Sequence, residues 1–251
     1  MTFFGDTDIG LIRKSNQDRY ACGVARGVVP YAVLCDGMGG HTGGNIASDI
    51  TTRFVCEMFE RELDGDMSPE RLKEIMLAAV AGSNEVVHGQ SRQDPELAKM
   101  GTTLIAVVYH AGDIHICYVG DSRVYAVSPS NEIQLTKDHT VVQMLVDIGE
   151  ISGEEALSHP KRHYITKAVG VSSTVEADYI RHKLENDELI LICSDGLYNY
   201  LSPGGIYPLL EHAVKTGNVG HFIRLANDAG GADNITAVVG AIPNGGNACN
   251  G

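Results

Sequence analysis

Short apolar runs that end in an aspartate recur along this chain, and a turn-forming residue follows each of these aspartates. The pattern occurs in Cys35-Asp36-Gly37, Gly120-Asp121-Ser122 and Ser194-Asp195-Gly196. Two further aspartates fit the scheme, since Asp233 lies just before the last apolar run and Asp18 follows a polar loop. A strand is stiff, so a carboxylate at its end is held in a fixed position. These aspartates are therefore candidates for a binding or catalytic site.

Convergence of the five carboxylates would require cations, because neighbouring carboxylates cannot all stay ionised without them. Carboxylate oxygens with no accompanying cysteine favour Mg²⁺ or Mn²⁺. Two such ions can activate a bridging water for in-line attack on phosphorus. Spacing alone does not show convergence, and the alternative is that each aspartate only forms a turn.

The charge of the chain bears on its partners. Its formal net charge is −13, which disfavours nucleic acid and anionic membranes as partners. The same charge would repel a phosphorylated substrate unless bound cations neutralise part of it. No apolar run reaches the roughly 18 residues of a membrane helix, no signal peptide is visible, and the six cysteines form no C-x-x-C pair. These observations predict a reduced, cytoplasmic protein.

The order of predicted elements indicates an α+β fold, because runs of strands alternate with separate pairs of helices. The predicted strands cover residues 31–35, 102–109, 114–119, 124–127, 188–193 and 235–242, and the helices begin near 45 and cover 68–87, 206–215 and 219–229. Residues 138–168, hereafter the flap, form an insertion that is partly helical around 141–148. We expect a single catalytic domain over 1–242 and a flexible tail over 243–251.

Six segments together resemble the metal-dependent Ser/Thr phosphatase (PPM, protein phosphatase 2C-like) family in its compact bacterial form. They follow the family's order from about Gly5 to Ile242. The segments are Arg13-Lys-Ser-Asn16-Gln-Asp18, Asp36-Gly-Met-Gly-Gly-His41, Gly101-Thr-Thr103, Gly120-Asp-Ser-Arg123, Ser194-Asp-Gly196 and Gly231-Ala-Asp-Asn-Ile-Thr236. The resemblance implies a central antiparallel β-sandwich with a pair of helices on each side.

The resemblance also implies a two-metal centre. Asp36 would bridge two Mn²⁺ or Mg²⁺ ions, and the carbonyl of Gly37 would bind one of them. Asp195 and Asp233 would complete the second site. The expected reaction is hydrolysis of phosphoserine and phosphothreonine by a water activated on both metals, without a phosphoenzyme.

Further positions match residues around that centre. Asp18 would act through a metal-bound water, and Asp121 would share a third, weaker metal site with Asp195. Arg13 matches the arginine that grips the substrate phosphate, for which a guanidinium fork is well suited. His41 matches the proposed general acid, and imidazole titrates near working pH.

Other positions depart from the pattern or stay open. Gln17 stands where many relatives have glutamate, which removes one charge from around the metals. The flap carries His159 and His163, which either contact substrate or are only surface residues. By resemblance, the partners would be phosphorylated proteins, a cognate Ser/Thr kinase and its targets, and the chain would be a monomer.

Alternative functions fit the chain less well. The glycine-rich stretch after Asp36 has Thr42 at the third glycine of a dinucleotide motif, and Gly44 is followed by Asn45 instead of the lysine of a P-loop. A non-catalytic, phosphoprotein-binding relic of the same fold is the remaining alternative. Such relics usually lose metal aspartates, whereas every matched position is filled here.

Overall fold

Two antiparallel β-sheets lie at the centre of the molecule. The structure is a computed structural model that describes residues 1–185 and 187–242, without the side chain of His41; the predicted tail over 243–251 lies outside them. The five-stranded sheet has the order β1 (Thr2–Asp8), β11 (Ile235–Ala241), β10 (Leu189–Cys193), β7 (Arg123–Ser128) and β8 (Asn131–Gln134). The second sheet has the order β2 (Asp18–Ala25), β3 (Val29–Met38), β5 (Leu104–His110), β6 (Asp113–Val119) and β9 (Asp178–Lys183), and β4 (Gly101–Thr102) pairs with β3.

Strand β3 shows why the apolar runs are continuous. Ala32 and Leu34 belong to the core between the two sheets. Tyr31, Val33 and Cys35 alternate with them and belong to the core between the sheet and its helices. Successive side chains of a strand point to opposite faces, so a strand covered on both faces needs apolar residues at every position. The prediction of a buried strand here is confirmed.

Helices cover the outer face of each sheet. Helices α1 (Gly40–Glu62) and α2 (Pro69–Ser91) pack on the six-stranded sheet, and α6 (Ile206–Thr216) and α7 (Gly220–Asp228) pack on the five-stranded sheet. The side chain of Ser68 caps α2 by accepting a hydrogen bond from the Arg71 amide. The predicted α+β sandwich with a helix pair on each side is confirmed. None of the helices within residues 1–185 and 187–242 is long and apolar enough to cross a membrane.

The structure corrects several predicted boundaries. Asp36 lies inside β3 instead of in a turn, because the strand continues to Met38 by pairing with β4. Asp195 begins the short helix α5 (Asp195–Tyr198) instead of a turn. Helix α1 begins at Gly40, five residues before the predicted start, since glycines hide its first turn from an apolar pattern. Strands β1, β2, β8 and β9 were missed.

The flap contains two short helices, of which only the first was predicted. Helix α3 covers Val141–Asp147, and α4 covers Gly153–Ser158. A capping box of Ser152 and Glu155 begins α4. The two ends of the flap meet where Thr140 pairs with Ile165.

Candidate active site

Most of the site residues predicted from the sequence line one cavity of about 1400 Å³. Its lining includes Arg13, Asp36, Gly37, Asp121, Asp195 and Asp233. The remaining predicted aspartate, Asp18, lies behind the cavity wall and is 1% exposed. Of the flap histidines, His163 lines the cavity, whereas the Nδ1 atom of His159 accepts a local hydrogen bond from the amide of Lys161.

The five aspartates at this cavity come from different strands, helices and loops of the fold. Asp18 begins β2 and lies opposite Asp36 in the pairing of β2 with β3. Asp121 lies in the loop between β6 and β7, Asp195 begins α5 directly after β10, and Asp233 precedes β11. Both sheets therefore contribute, and the residues meet although they are up to 215 positions apart in the chain.

The electrostatics show that the carboxylates are crowded. Burial raises the pKa of Asp36 well above its ordinary value, and repulsion from the other four aspartates raises it further. Burial, followed by repulsion from Asp121 and Asp233, raises the pKa of Asp195 to about 8. Burial also raises the pKa values of Asp18 and Asp121 to about 6. Without cations, the fully ionised form of this cluster is strongly disfavoured.

Two hydroxyl groups orient Asp18. Its Oδ2 atom accepts hydrogen bonds from Ser194 Oγ at 2.7 Å and from Thr236 Oγ1 at 2.6 Å. Its Oδ1 atom is buried without a hydrogen-bond partner. A buried, unpartnered carboxylate oxygen beside Asp36 is a position that a cation or its water would satisfy. Ser194 and Thr236 both lie within the sequence motifs, but no role was predicted for either residue.

The Thr236 hydroxyl gives a testable consequence. Thr236→Val removes one of the two donors that hold Asp18, and we expect it to weaken Mn²⁺ binding about tenfold, as is usual when a group that supports a ligand is lost. Thr51→Val is the matched control, because the buried Thr51 hydroxyl has no hydrogen-bond partner. Calorimetric Mn²⁺ titration of both variants checks this. Equal affinities would show that Thr236 does not support the site.

Two threonines hold the backbone of Asp36. Its amide donates to Thr103 Oγ1 at 2.9 Å, and its carbonyl accepts from Thr102 Oγ1 and the Thr103 amide, each at 2.8 Å. Thr103 Oγ1 also contacts Ser122 Oγ at 2.9 Å. Thr103 therefore connects β3, which carries Asp36, to Ser122, the residue after Asp121. Thr102 and Thr103 were predicted only as part of a motif.

Gly37 allows β3 and α1 to approach each other closely. A Cβ atom at Gly37 would lie 2.2 Å from the carbonyl oxygen of Gly44, and one at Gly44 would lie 2.7 Å from the Gly37 carbonyl. No side chain fits at either position without moving backbone. The glycine pair thus fixes the start of α1 beside the Gly37 carbonyl, which the sequence predicted to be a metal ligand.

Arg13 lies at the cavity mouth and pairs with one of the aspartates. Its Nη2 atom is 2.5 Å from Asp233 Oδ2, and its side chain is 51% exposed. The predicted phosphate-binding residue therefore lies in the cavity within reach of a predicted metal ligand. Gln17 also lines the cavity, and its amide side chain donates to the Gly40 carbonyl. The His41 side chain lies outside the described part of the chain, so its role stays a prediction.

The donor set fits divalent hard cations. Within the described residues, no group of three or more His, Cys, Asp or Glu side chains is arranged so that it could hold a metal ion as it stands. Arg13 Nη2 instead donates a hydrogen bond to Asp233 Oδ2. The buried Asp18 oxygen without a hydrogen-bond partner and the raised pKa values of Asp18 and Asp36 are nevertheless features that bound cations would stabilise. Oxygen donors of this kind suit Mn²⁺ or Mg²⁺.

Fold and site together define a class of protein: a helix-covered β-sandwich with a buried centre of aspartates. Comparison with known proteins makes the assignment specific, since residues 13–218 match the family model for protein phosphatase 2C. The serine/threonine phosphatase stp of Listeria innocua is 32% identical over 93% of this chain and 92% of its own length. The chain belongs to the protein phosphatase 2C family.

Solved structures agree. The serine/threonine phosphatase Stp1 from Staphylococcus aureus superposes with a TM-score of 0.87 at 30% identity, covering 97% of this chain and 96% of that one. The catalytic domain of PstP, crystallised with two manganese ions, superposes with a TM-score of 0.80 at 32% identity, covering 94% and 96%. The prediction of a bacterial phosphatase of this family is confirmed. These comparisons leave the individual site residues as predictions.

Proposed function

We propose that this protein is a Mn²⁺- or Mg²⁺-dependent phosphatase that hydrolyses phosphoserine and phosphothreonine on proteins. The observation that carries the proposal is the cluster of five buried or cavity-lining aspartates. In four of them, Asp18, Asp36, Asp121 and Asp195, burial raises the pKa, as expected where carboxylates are placed to bind cations. The family and the relatives favour this enzyme over a non-catalytic relic. The cations also explain how a chain of net charge −13 accepts an anionic substrate.

The residues divide the work as follows. Asp36, Gly37, Asp195 and Asp233 would hold two core ions, and Asp18 would orient a water from behind the cavity wall. When bound, the ions supply positive charge and Lewis acidity to the reaction. No covalent bond forms between the phosphoryl group and a side chain. The family's third ion would be the weakest, with Asp121 and Asp195 as its ligands.

Arg13 and His41 act on the substrate. The Arg13 guanidinium, half exposed at the mouth of the cavity, exchanges its bond to Asp233 for two oxygens of the substrate phosphate. His41 gives a proton to the leaving Ser or Thr alkoxide. Lys14 and Arg162 also line the cavity, and their charge favours a phosphorylated peptide over a neutral one.

The biological setting follows from the same resemblance. We propose that the enzyme works in the cytoplasm as a monomer and opposes a Ser/Thr kinase, with that kinase and its targets as substrates. A phosphoproteomic comparison of cells with and without the enzyme tests this directly. Unchanged phosphoserine and phosphothreonine levels on the kinase and its targets would contradict it.

Hydrolysis of a phosphothreonine peptide tests the activity itself. We expect release of inorganic phosphate with Mn²⁺ and none with EDTA, and we expect Mn²⁺ to restore the chelated protein. Phosphate transfer to the protein should not occur, so radiolabelled substrate should leave no label on the denatured chain. Absence of metal-dependent release from folded protein would refute the proposal.

Arg13 should affect binding more than turnover. Arg13→Ala removes the fork that grips the phosphate, and we expect KM to rise about tenfold, with kcat changed less than about threefold, because charge-assisted hydrogen bonds contribute about 1.5–3 kcal/mol. Arg53→Ala is the control, since Arg53 is an exposed residue of α1 paired only with Asp49. Steady-state kinetics separate the two parameters. A fall in kcat at unchanged KM would assign Arg13 to the chemical step instead.

A further inference from the structure

His139 lies at the base of the flap and is bonded to Gly120, the residue that precedes Asp121. The amide of His139 donates to the Gly120 carbonyl at 3.0 Å. In return, the Gly120 amide donates to His139 Nδ1, also at 3.0 Å. The amide and the carbonyl of Gly120 are thus both hydrogen-bonded to His139. This histidine ends the segment Thr136-Lys-Asp-His139, for which the sequence predicts a structural role.

Gly120 needs such support because its conformation is special. Its φ angle is +106°, and a Cβ atom there would lie 2.6 Å from Thr103 Cγ2. Glycine is therefore required, and glycine by itself leaves the backbone free to move. The direction in which Asp121 enters the cavity depends on that backbone. The two hydrogen bonds between Gly120 and His139, one donated by each residue, restrict this backbone.

The imidazole ring is fixed from three sides. It is 9% exposed and stacks on the Tyr118 ring, with centroids 5.2 Å apart and planes 8° from parallel. Because Nδ1 accepts a hydrogen bond, the ring proton of the neutral imidazole lies on Nε2. Nε2 is 3.5 Å from Asp178 Oδ2 without a hydrogen bond, and Asp178 in turn contacts Lys167 at 3.4 Å. The ring orientation that serves Gly120 is thus held by side chains outside the active site.

The same residue belongs to the flap. The His139 carbonyl accepts a hydrogen bond from the Thr166 amide at 2.7 Å, and the next residue, Thr140, pairs with Ile165. The outgoing and returning ends of the flap therefore meet at His139. A displacement of the flap base would be transmitted directly to Gly120 through two hydrogen bonds.

We infer that His139 is a positioning residue that holds the Asp121 carboxylate for the third metal ion and ties that site to the base of the flap. This inference rests on the proposed third ion at Asp121. It assigns His139 no contact with substrate. Its effect on turnover arises through Gly120 and Asp121 alone.

Two polar substitutions of His139 separate its hydrogen bond from its bulk. In His139→Asn, the amide oxygen takes the place of Nδ1 and can still accept from the Gly120 amide. In His139→Gln, the amide lies where Nε2 was, near Asp178, and the bond to Gly120 is lost. Both side chains are neutral and polar, and they differ by one methylene group. His182→Gln is a control, because His182 is a part-buried histidine of β9 that pairs with Glu188.

Calorimetric titration of the full chain with Mn²⁺ is the deciding measurement. We expect the wild type to bind two ions tightly and a third weakly. His139→Gln should weaken the third ion about tenfold, the usual scale for loss of a supporting group, and leave the tight pair within about twofold. His139→Asn and His182→Gln should stay within about threefold of the wild type at all sites.

Two further readouts distinguish positioning from general damage. In His139→Gln, the Gly120 amide should exchange with deuterium faster than in His139→Asn, and kcat should fall about tenfold at unchanged KM. Equal binding of the third ion by both His139 variants, whether weakened or normal, would overturn the inference. Equal weakening of all three ions in His139→Gln would also overturn it. Binding of only two ions by the wild type would remove the third site, and metal-dependent phosphatase activity in that same protein would show that the proposed function stands without it.

Discussion

Asp36→Asn is expected to lower turnover by at least about 10³-fold, the upper range for removal of a group that stabilises charge in the transition state. The residue is assigned to both core ions, so its amide would weaken both at once. The same substitution should raise the melting temperature of the metal-free protein. Asp36 is half-buried, and its pKa is raised by desolvation and by four neighbouring aspartates. Asparagine therefore relieves a repulsion that cations otherwise relieve.

Opposite signs for activity and stability make this a strict test. Turnover of a phosphothreonine peptide with saturating Mn²⁺ gives the first effect, and thermal unfolding in EDTA gives the second. Asp66→Asn is the control, because Asp66 is an exposed aspartate outside the cavity. Substantial residual activity in Asp36→Asn would refute its bridging role. A lower melting temperature in EDTA would show that the carboxylate serves the fold instead of the metals.

Removal of the metals is expected to make stability fall steeply as pH rises. Asp195 has a pKa of about 8, and Asp18 and Asp121 have pKa values of about 6, compared with about 3.9 in an unfolded chain. Above pH 4, the unfolded chain therefore binds fewer protons than the folded protein, and unfolding becomes more favourable as pH rises. Each pKa unit corresponds to about 1.4 kcal/mol, so the loss between pH 5 and pH 8 should amount to several kcal/mol.

Several histidines work in the opposite direction. Burial lowers the pKa of His115 to about 4, so this residue stabilises the folded protein less as pH falls below about 6.5. Burial also lowers the pKa values of His139, His163 and His221. The raised pKa values of Asp18, Asp36, Asp121 and Asp195 outweigh these histidines, so the net slope stays negative. Denaturant unfolding in EDTA at several pH values measures the slope. Mn²⁺ should remove it, because bound cations replace the protons.

Asp195→Asn provides the control for this pH dependence. It removes the carboxyl group whose pKa is raised to about 8, and we expect the slope in EDTA to become markedly shallower. A metal-free protein whose stability is flat or rises from pH 5 to pH 8 would contradict the crowding of the carboxylates. The same result would weaken the case for a metal centre, which rests on that crowding.

The sequence predicted the sandwich because its inner strands are unambiguous. Runs such as 31–35 and 190–193 are apolar throughout, since they are buried on both faces. The missed strands have a mixed pattern. In β9, Asp178, Arg181 and Lys183 are exposed, and the other three residues are only partly buried, because the strand lies at a sheet edge. Such an edge strand has one partner and no continuous apolar signal.

The sequence predicted the aspartates of the site but not the residues that support them. The aspartates could be identified because each stands beside a turn residue or a strand end, and six ordered segments set their roles by resemblance. Their convergence depends on strand pairing over long distances, such as Asp18 opposite Asp36, which spacing does not encode. The supporting hydroxyls of Ser194 and Thr236 were missed for the same reason. Serine and threonine are common residues. Only the three-dimensional structure shows which of their hydroxyls donate a hydrogen bond to a buried carboxylate.

Anomalous scattering from crystals soaked in Mn²⁺ tests the central claim most directly, because it counts the ions and identifies their ligands. We predict two strong peaks in the cavity, with Asp36 in contact with both, the Gly37 carbonyl at one, and Asp195 and Asp233 at the other. A weaker peak should lie at Asp121. A single ion, ions bound away from Asp36, or no bound manganese in active protein would contradict the account.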